Sequence, residues 1–250
     1  MILAIDVGNT NVVLGAMEGT AVQKTTRLVT DSGKGIDGYA RELAETVGQW
    51  GDFTGAVISS VVPDVTKQVT EAVRQVLGLT CLEIHGELEL GFRLPPAQTA
   101  EVAADLITAA AAAVDCCKLP LILIDMGTAT TVMTVDRTGM FLGGAIAPGP
   151  KMMMSSLAGG TALLPAVPLD VPKHNIGRDT VECLQCGTVL GAAAMVEGLV
   201  DRMEQELGEP AEVIATGGLA GSVLPLCRRA IRLEPDLMLR GLAILYEKNK

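Results

Sequence analysis

The sequence predicts a two-domain α/β protein, and three observations carry that prediction. The chain opens on an apolar run, Ile2–Ile5, that ends at Asp6, crosses the polar stretch Gly8, Asn9, Thr10 and Asn11, and resumes with Val12, Val13 and Leu14. That is the pattern of a strand, a polar turn and a second strand. The pattern returns in Leu121–Val135: an apolar run, Asp125, one apolar residue, Gly127, a short polar turn and another apolar run. Aligning Asp6 with Asp125 puts Gly8 on Gly127, Asn9 on Thr128 and Val13 on Val132, an offset of 119 residues (125 less 6), about one small domain. Third, Glu212–Gly221 is an apolar strand running into Gly217–Gly218, where backbone can pass beneath a flat ring.

Taken in order, the first hairpin is followed by a strand at Ala21–Val29 and a loop at Asp31–Gly38. A helix over Tyr39–Trp50 is read from the spacing of Leu43, Val47 and Trp50. Ala56–Val62 is a β-branched strand stopped by Pro63; Asp64 is expected to cap a helix with Val65, Val69, Val73 and Val76 inward, ended by Gly78. Cys81–Ile84 makes a short strand, and Glu87–Ala100 is irregular and Pro-rich. Strands first, then strands alternating with helices, is the order of a ribonuclease H-like domain. An alanine-rich helix over about 101–114 leads to the second domain. There, strands run from Leu121 through Ile146, and Met152–Met154 are expected to pack inside. A long helix, Thr180–Leu207, should turn Val181, Leu184, Val189, Ala192 and Val196 inward. A strand at Val213–Thr216 and helices at Leu219–Cys227 and Leu237–Tyr246 complete the chain. The domains are expected at residues 1–100 and 101–250, with the closing helix free to pack back on the first.

Composition narrows the function classes. Of the residues 49% are hydrophobic, yet there are only one Trp, two Tyr and three Phe, so the core must be aliphatic. The net charge of −10 offers no basic stripe for a nucleic acid. The most apolar run, Ala109–Val114, is too short to span a bilayer. No charged leader opens the chain, and a cytoplasmic protein with neither nucleic-acid nor membrane partner is expected. The six cysteines include a Cys183-x-x-Cys186 pair without a second pair, read as structural or incidental.

Gly8 permits a positive φ and a close backbone approach, and Asn, Thr and free N–H groups can ring an anion. Asp6 beside such a site calls for a cation, and suits Mg²⁺ held directly or through water. No Gly-x-x-x-x-Gly-Lys-Ser/Thr occurs, which excludes a P-loop enzyme.

Two such hairpins with a late Thr-Gly-Gly resemble the actin-like sugar kinase superfamily. The motifs DVGNTN (Asp6–Asn11), SSVVP (Ser59–Pro63), DMGTATT (Asp125–Thr131), GGAIAPG (Gly143–Gly149), LLP (Leu163–Pro165), IGRDT (Ile176–Thr180), ATGG (Ala215–Gly218) and EPDLMLRGL (Glu234–Leu242) resemble type III pantothenate kinases, in that family's order. The resemblance implies two ribonuclease H-like domains with the active site in the cleft between them. It implies a homodimer that uses ATP, Mg²⁺ and a monovalent cation, K⁺ or NH₄⁺, to phosphorylate pantothenate to 4′-phosphopantothenate, the first step toward coenzyme A. ATP would be held by Asp6, Val7, Gly8, Asn9, Thr10, Asn11, Val12, Val13, Thr128, Gly217 and Gly218. Asp6 would also serve Mg²⁺, and Asp125 the monovalent cation. Asp105 would act as general base, a role that the isolation of one acid in an apolar helix independently suggests. The substrate would meet Ala103, Ala104, Asp105, Leu106 and Thr180. The family's Gly-Ala-Asp-Arg is matched here by Ala103, Ala104, Asp105 and Leu106. Loss of a pocket arginine removes a charge-assisted donor worth about 1.5–3 kcal/mol. Arg93, Lys151 and Arg178 are candidates to replace it. Two alternatives stay open: a kinase of another small alcohol, and a weakly catalytic nucleotide-binding regulator.

Overall fold

A computed structural model describes residues 1–250. Two compact units divide it, Met1–Cys116 with Asp236–Lys250, and Cys117–Pro235.

The first unit is built on a five-stranded sheet. Strands β1 (Ile2–Val7), β2 (Asn11–Glu18) and β3 (Ala21–Val29) form an antiparallel meander. On the other side of β1, β4 (Gly55–Ser60) and β5 (Cys81–Glu83) run parallel to it, giving the order β3-β2-β1-β4-β5. Central β1 is buried on both faces, which is why it reads as a continuous apolar run. Leu3, Ile5 and Val7 pack against Tyr39 and Leu43 of α1 (Gly35–Thr46) and Val65, Val69 and Val73 of α2 (Pro63–Leu77). Ile2, Ala4 and Val57 face the opposite way, onto Ile107 and Ala111 of α3 (Ala104–Cys116) and Leu239 and Leu242 of α8 (Leu237–Asn249).

The division after Cys116 differs from the expected one near residue 100, and residues 236–250 return to the first unit. The cause lies in α3. Residues Ile107–Ala113 are buried in one unbroken run, and Ile107 and Ala111 share a cluster with β1, β4 and α8. Alanine contributes little transfer energy, so Ile107, worth about 1.5–3 kcal/mol when buried, anchors the helix. Small side chains admit α8 closely: a Cβ at Gly241 would stand 2.0 Å from the Thr108 carbonyl oxygen.

The second unit repeats the plan. Strands β6 (Leu121–Met126), β7 (Ala129–Val135) and β8 (Phe141–Pro148) form the meander; β9 (Glu212–Thr216) and a two-residue β10 (Arg232–Leu233) complete the order β10-β9-β6-β7-β8. Its core joins Ile122, Ile124, Met126 and Val132 to Ala192, Val196 and Val200 of α6 (Gly191–Leu207). A helix α4 (Pro150–Gly160) follows β8. The helical stretch Thr180–Leu207 comprises α5 (Thr180–Gln185), a π turn at Cys186–Leu190, and α6. Its 28 residues are long and apolar enough to cross a bilayer by length and composition, while Ala192, Ala193, Val196 and Val200 line the core.

Several local expectations are corrected. Asp64 does not cap α2: Val62 holds the cap position without a side-chain bond, Pro63 begins the helix and Asp64 lies in the first turn, where it favours the helix dipole. Helix α1 starts four residues early, at Gly35, because Asp31 ends the loop by accepting the Gly33 N–H at 2.8 Å. Of the three methionines only Met154 is buried, and Val181 points outward, since α5 begins at the unit's surface. The helix expected at Leu219–Cys227 is one turn, α7 (Ala220–Val223), tightened by a 3₁₀ turn that carries Pro225.

Candidate active site

Asp6 is half-buried near the end of β1, in register with Val13 on β2 and Ser59 on β4. Alternation along a strand places Ile2, Ala4 and Asp6 on one face. Their parallel partners Gly55, Val57 and Ser59 share it, and this is the face that α3 covers. The turn beyond is braced through its backbone. Gly8 N–H donates to the Asn11 carbonyl at 2.9 Å; Thr30 donates its hydroxyl to the Gly8 carbonyl at 2.7 Å and its N–H to Thr10 at 3.1 Å. Val61 N–H donates to Val7 at 3.1 Å. The frame is therefore fixed while Asn9 and Thr10 stand exposed, an arrangement suited to an anion. Gly8 does not use its freedom of positive φ, and a Cβ there would meet only the Asn11 carbonyl oxygen, at 3.4 Å. Val7 and Val12 turn their side chains into the core, so only their backbone is free to meet a ligand.

The second turn is one residue shorter. Asp125 is opposite Thr131, not Val132, because β7 resumes at Ala129 after Gly127 and Thr128 alone. The repeat is thus offset by 119 residues up to the glycine and by 118 (129 less 11) beyond the turn. Gly127 N–H closes this turn on the Ala129 carbonyl at 2.9 Å, and Gly149 N–H, at the start of α4, donates to the Thr128 carbonyl at 3.0 Å. Gly217 packs directly on the strand that carries Asp125. Its φ is +98°, and a Cβ there would meet Asp125 Oδ1 at 2.4 Å and the Met126 backbone at 2.6 Å. Leu219 N–H fastens the same segment to the Met126 carbonyl at 3.0 Å. Gly218 is exposed, with nothing within 4 Å of where a Cβ would stand.

Asp105 occupies the first turn of α3, in the first unit with Asp6. Ala103 accepts the Ile107 N–H at 3.1 Å, and Ala104 accepts the Thr108 hydroxyl at 2.7 Å. Asp105 Oδ1 accepts the Leu106 N–H at 2.7 Å. Burial raises the Asp105 carboxyl above its ordinary value, and that backbone N–H opposes the shift. Leu106 is half-buried beside it.

Thr180 is exposed at the start of α5, behind an Asp179 cap that accepts the Glu182 N–H at 2.8 Å. Glu182 ties down the preceding loop by accepting from the Arg178 N–H at 2.9 Å and contacting His174 Nδ1 at 2.8 Å; these bonds hold its carboxyl below the usual range. Thr180 borders a pocket of about 360 Å³ with Leu157, Leu164, Cys183, Leu184 and Gly187. Arg93, Lys151 and Arg178 are exposed. None of the six cysteines is in a disulfide.

The first unit carries Asp6, the turn Gly8–Asn11 and the Ala103–Leu106 helix start. The second assembles Asp125, Thr128, Gly217 and Gly218, with Thr180 on its own pocket. Sequence reading missed Thr30, Ser59 and Gly149 as individual residues. Ser59 and Gly149 lay inside motifs that carried the family resemblance; Thr30 had no signal, since its role is a bond to a turn twenty-two residues away.

No group of three or more His, Cys, Asp or Glu side chains is placed to hold a metal ion. Mg²⁺ is commonly held by one or two carboxylates together with substrate phosphates rather than in a protein cage. Asp6 offers such an oxygen donor next to a turn in which Asn9 and Thr10 are exposed.

Two units of one strand order, each carrying an acid on its central strand and a polar turn after it, define an actin-like kinase fold. Solved structures share it: a ROK hexokinase from Thermus thermophilus (TM-score 0.55, 13% identity, 98% of each chain) and a ROK family glucokinase from Streptomyces griseus (TM-score 0.54, 13% identity, 99% of this chain and 98% of that one). The particular family is given by sequence: the model of type III pantothenate kinases matches residues 2–202. Type III pantothenate kinases of Moorella thermoacetica (40% identical, 100% of both chains) and Thermomicrobium roseum (40% identical, 99% of this chain and 97% of that one) are similar over their whole length. The chain belongs to the type III pantothenate kinase family.

Proposed function

We propose that this protein transfers the γ-phosphate of ATP to the primary hydroxyl of pantothenate, giving 4′-phosphopantothenate for coenzyme A synthesis. The observation that carries the reading is Asp105: in a chain similar to pantothenate kinases from end to end, it stands half-buried at the start of α3, on the helix that covers the Asp6 face. As the hydroxyl oxygen bonds to the γ-phosphorus, the bond to the leaving ADP oxygen breaks and the hydroxyl proton passes to the Asp105 carboxylate. Burial makes that carboxylate a better acceptor. Phosphoryl transfer depends chiefly on positioning and charge compensation, and Mg²⁺ when bound supplies compensation on the phosphates. Asp6 is assigned to that ion, and the backbone and side chains of Gly8–Asn11 to the phosphates. In the second unit Thr128 is assigned to phosphate, Gly217 and Gly218 to the nucleotide's flat ring, and Asp125 to K⁺ or NH₄⁺, which takes the place of a lysine absent from both turns. Thr180 is assigned to the substrate.

The protein is read as a cytoplasmic homodimer. Support for self-association comes from apolar side chains left exposed in the second unit: Ile146 at 71%, Leu163 at 92% and Ile176 at 84%. A coupled assay of ADP release with and without pantothenate tests the function. Release that depends on pantothenate supports it. ATP binding without such release, while another small alcohol is phosphorylated, would establish the second reading, which Ala103 and Leu106 favour.

A further inference from the structure

Ser59 is fully buried and its hydroxyl has no hydrogen-bond partner. The adjacent Ser60 shows the usual outcome: its Oγ accepts the Val62 N–H at 3.1 Å and the Thr66 hydroxyl at 2.6 Å. An orphaned buried hydroxyl destabilises a fold, and an apolar residue of similar size in its place is neutral or stabilising. What distinguishes Ser59 is its neighbour. It stands in parallel register with Asp6, one strand spacing of about 4.8 Å away, with both side chains on the α3 face. The second unit repeats the pairing: Thr216, also buried, is the parallel partner of Asp125. Each unit thus sets a buried hydroxyl beside the acid of its central strand.

We propose that Ser59 is a positioning residue for Asp6. Its hydroxyl donates to the Asp6 carboxylate when Mg²⁺ and nucleotide are bound, fixing which carboxylate oxygen faces the ion. The inference rests on the kinase reading and deepens it.

The test compares wild type, Ser59→Ala and Ser59→Thr, each measured for Tm without ligand, for the Tm gain on adding ATP and Mg²⁺, and for the Mg²⁺ concentration giving half-maximal turnover. The expected result for Ser59→Ala is an unliganded Tm equal to or above wild type, a smaller Tm gain with ATP and Mg²⁺, and about tenfold more Mg²⁺ for half-maximal turnover, as the loss of one charge-assisted hydrogen bond implies. The KM for pantothenate should not move. Ser59→Thr, which copies the second unit, should restore the Mg²⁺ requirement toward wild type. A Ser59→Ala protein with the wild-type Mg²⁺ midpoint overturns the inference, whether its unliganded Tm is unchanged or lower. If wild type itself gains no stability from ATP and Mg²⁺, the kinase reading falls and the inference with it.

Discussion

At the scale of single residues, Asp105 carries opposite demands from folding and function. Burial holds its carboxyl above the ordinary value, so the folded state binds the proton more tightly than the unfolded chain does. That preference stabilises the fold fully below the ordinary carboxylate pKa and is lost as pH rises through the raised value. Asp105→Asn should therefore lower kcat by roughly 10²–10⁴-fold while leaving the Tm at pH 8 no lower than wild type. Any gain in Tm should shrink toward pH 4, and wild-type kcat should fall as the carboxylate is protonated. Thermal melts at the two pH values and a pH–rate profile check this; loss of nucleotide binding in the mutant would mark Asp105 as structural. Leu106 poses the complementary question, an isobutyl group where a guanidinium would meet the substrate carboxylate. Leu106→Arg should raise kcat/KM for pantothenate about 10–100-fold, mainly through KM, and adding Ala103→Gly should help further. No change, or a decrease, would show that another basic residue already holds the carboxylate.

At the scale of elements, the hairpins and the Gly217–Gly218 turn were legible because each is a local pattern of apolar run, acid, glycine and polar residues. Their exact register was not: the second turn is shorter by one residue, which only the pairing of Asp125 with Thr131 reveals. The two glycines also look alike in sequence and differ in space. Gly217→Ala forces a side chain into a positive φ and onto Asp125 Oδ1, and should cost about 1–3 kcal/mol, a drop of several degrees in Tm. Gly218→Ala meets nothing within 4 Å and should leave the Tm within about 1 °C. If Gly218 lies under the nucleotide, its variant should raise the KM for ATP nonetheless. An unchanged KM would remove Gly218 from the site. Helix ends were read less well than helices, since Pro63 rather than Asp64 begins α2 and a π turn interrupts Thr180–Leu207.

At the scale of the whole molecule, two properties of the proposed enzyme are open to direct measurement. With Asp125 holding a monovalent cation, turnover should be high in K⁺ or NH₄⁺ and poor in Na⁺ or Li⁺; equal rates in all four at matched ionic strength would reject that role. In solution the mass should be twice 26.0 kDa. Leu163→Asp with Ile176→Asp should lower it toward a single chain, because both side chains are exposed apolar surface. The sequence by itself determined the repeated strand–turn–strand plan, the acids on each central strand and the family, because these are written in short contiguous patterns of polarity. Tertiary structure decided what depends on contacts distant in sequence. It returned α8 and α3 to the first unit, since Ile107, Ala111, Leu239 and Leu242 share one core with β1. It also set Ser59 beside Asp6 and Gly217 against Asp125, because parallel register brings together residues that no local pattern relates.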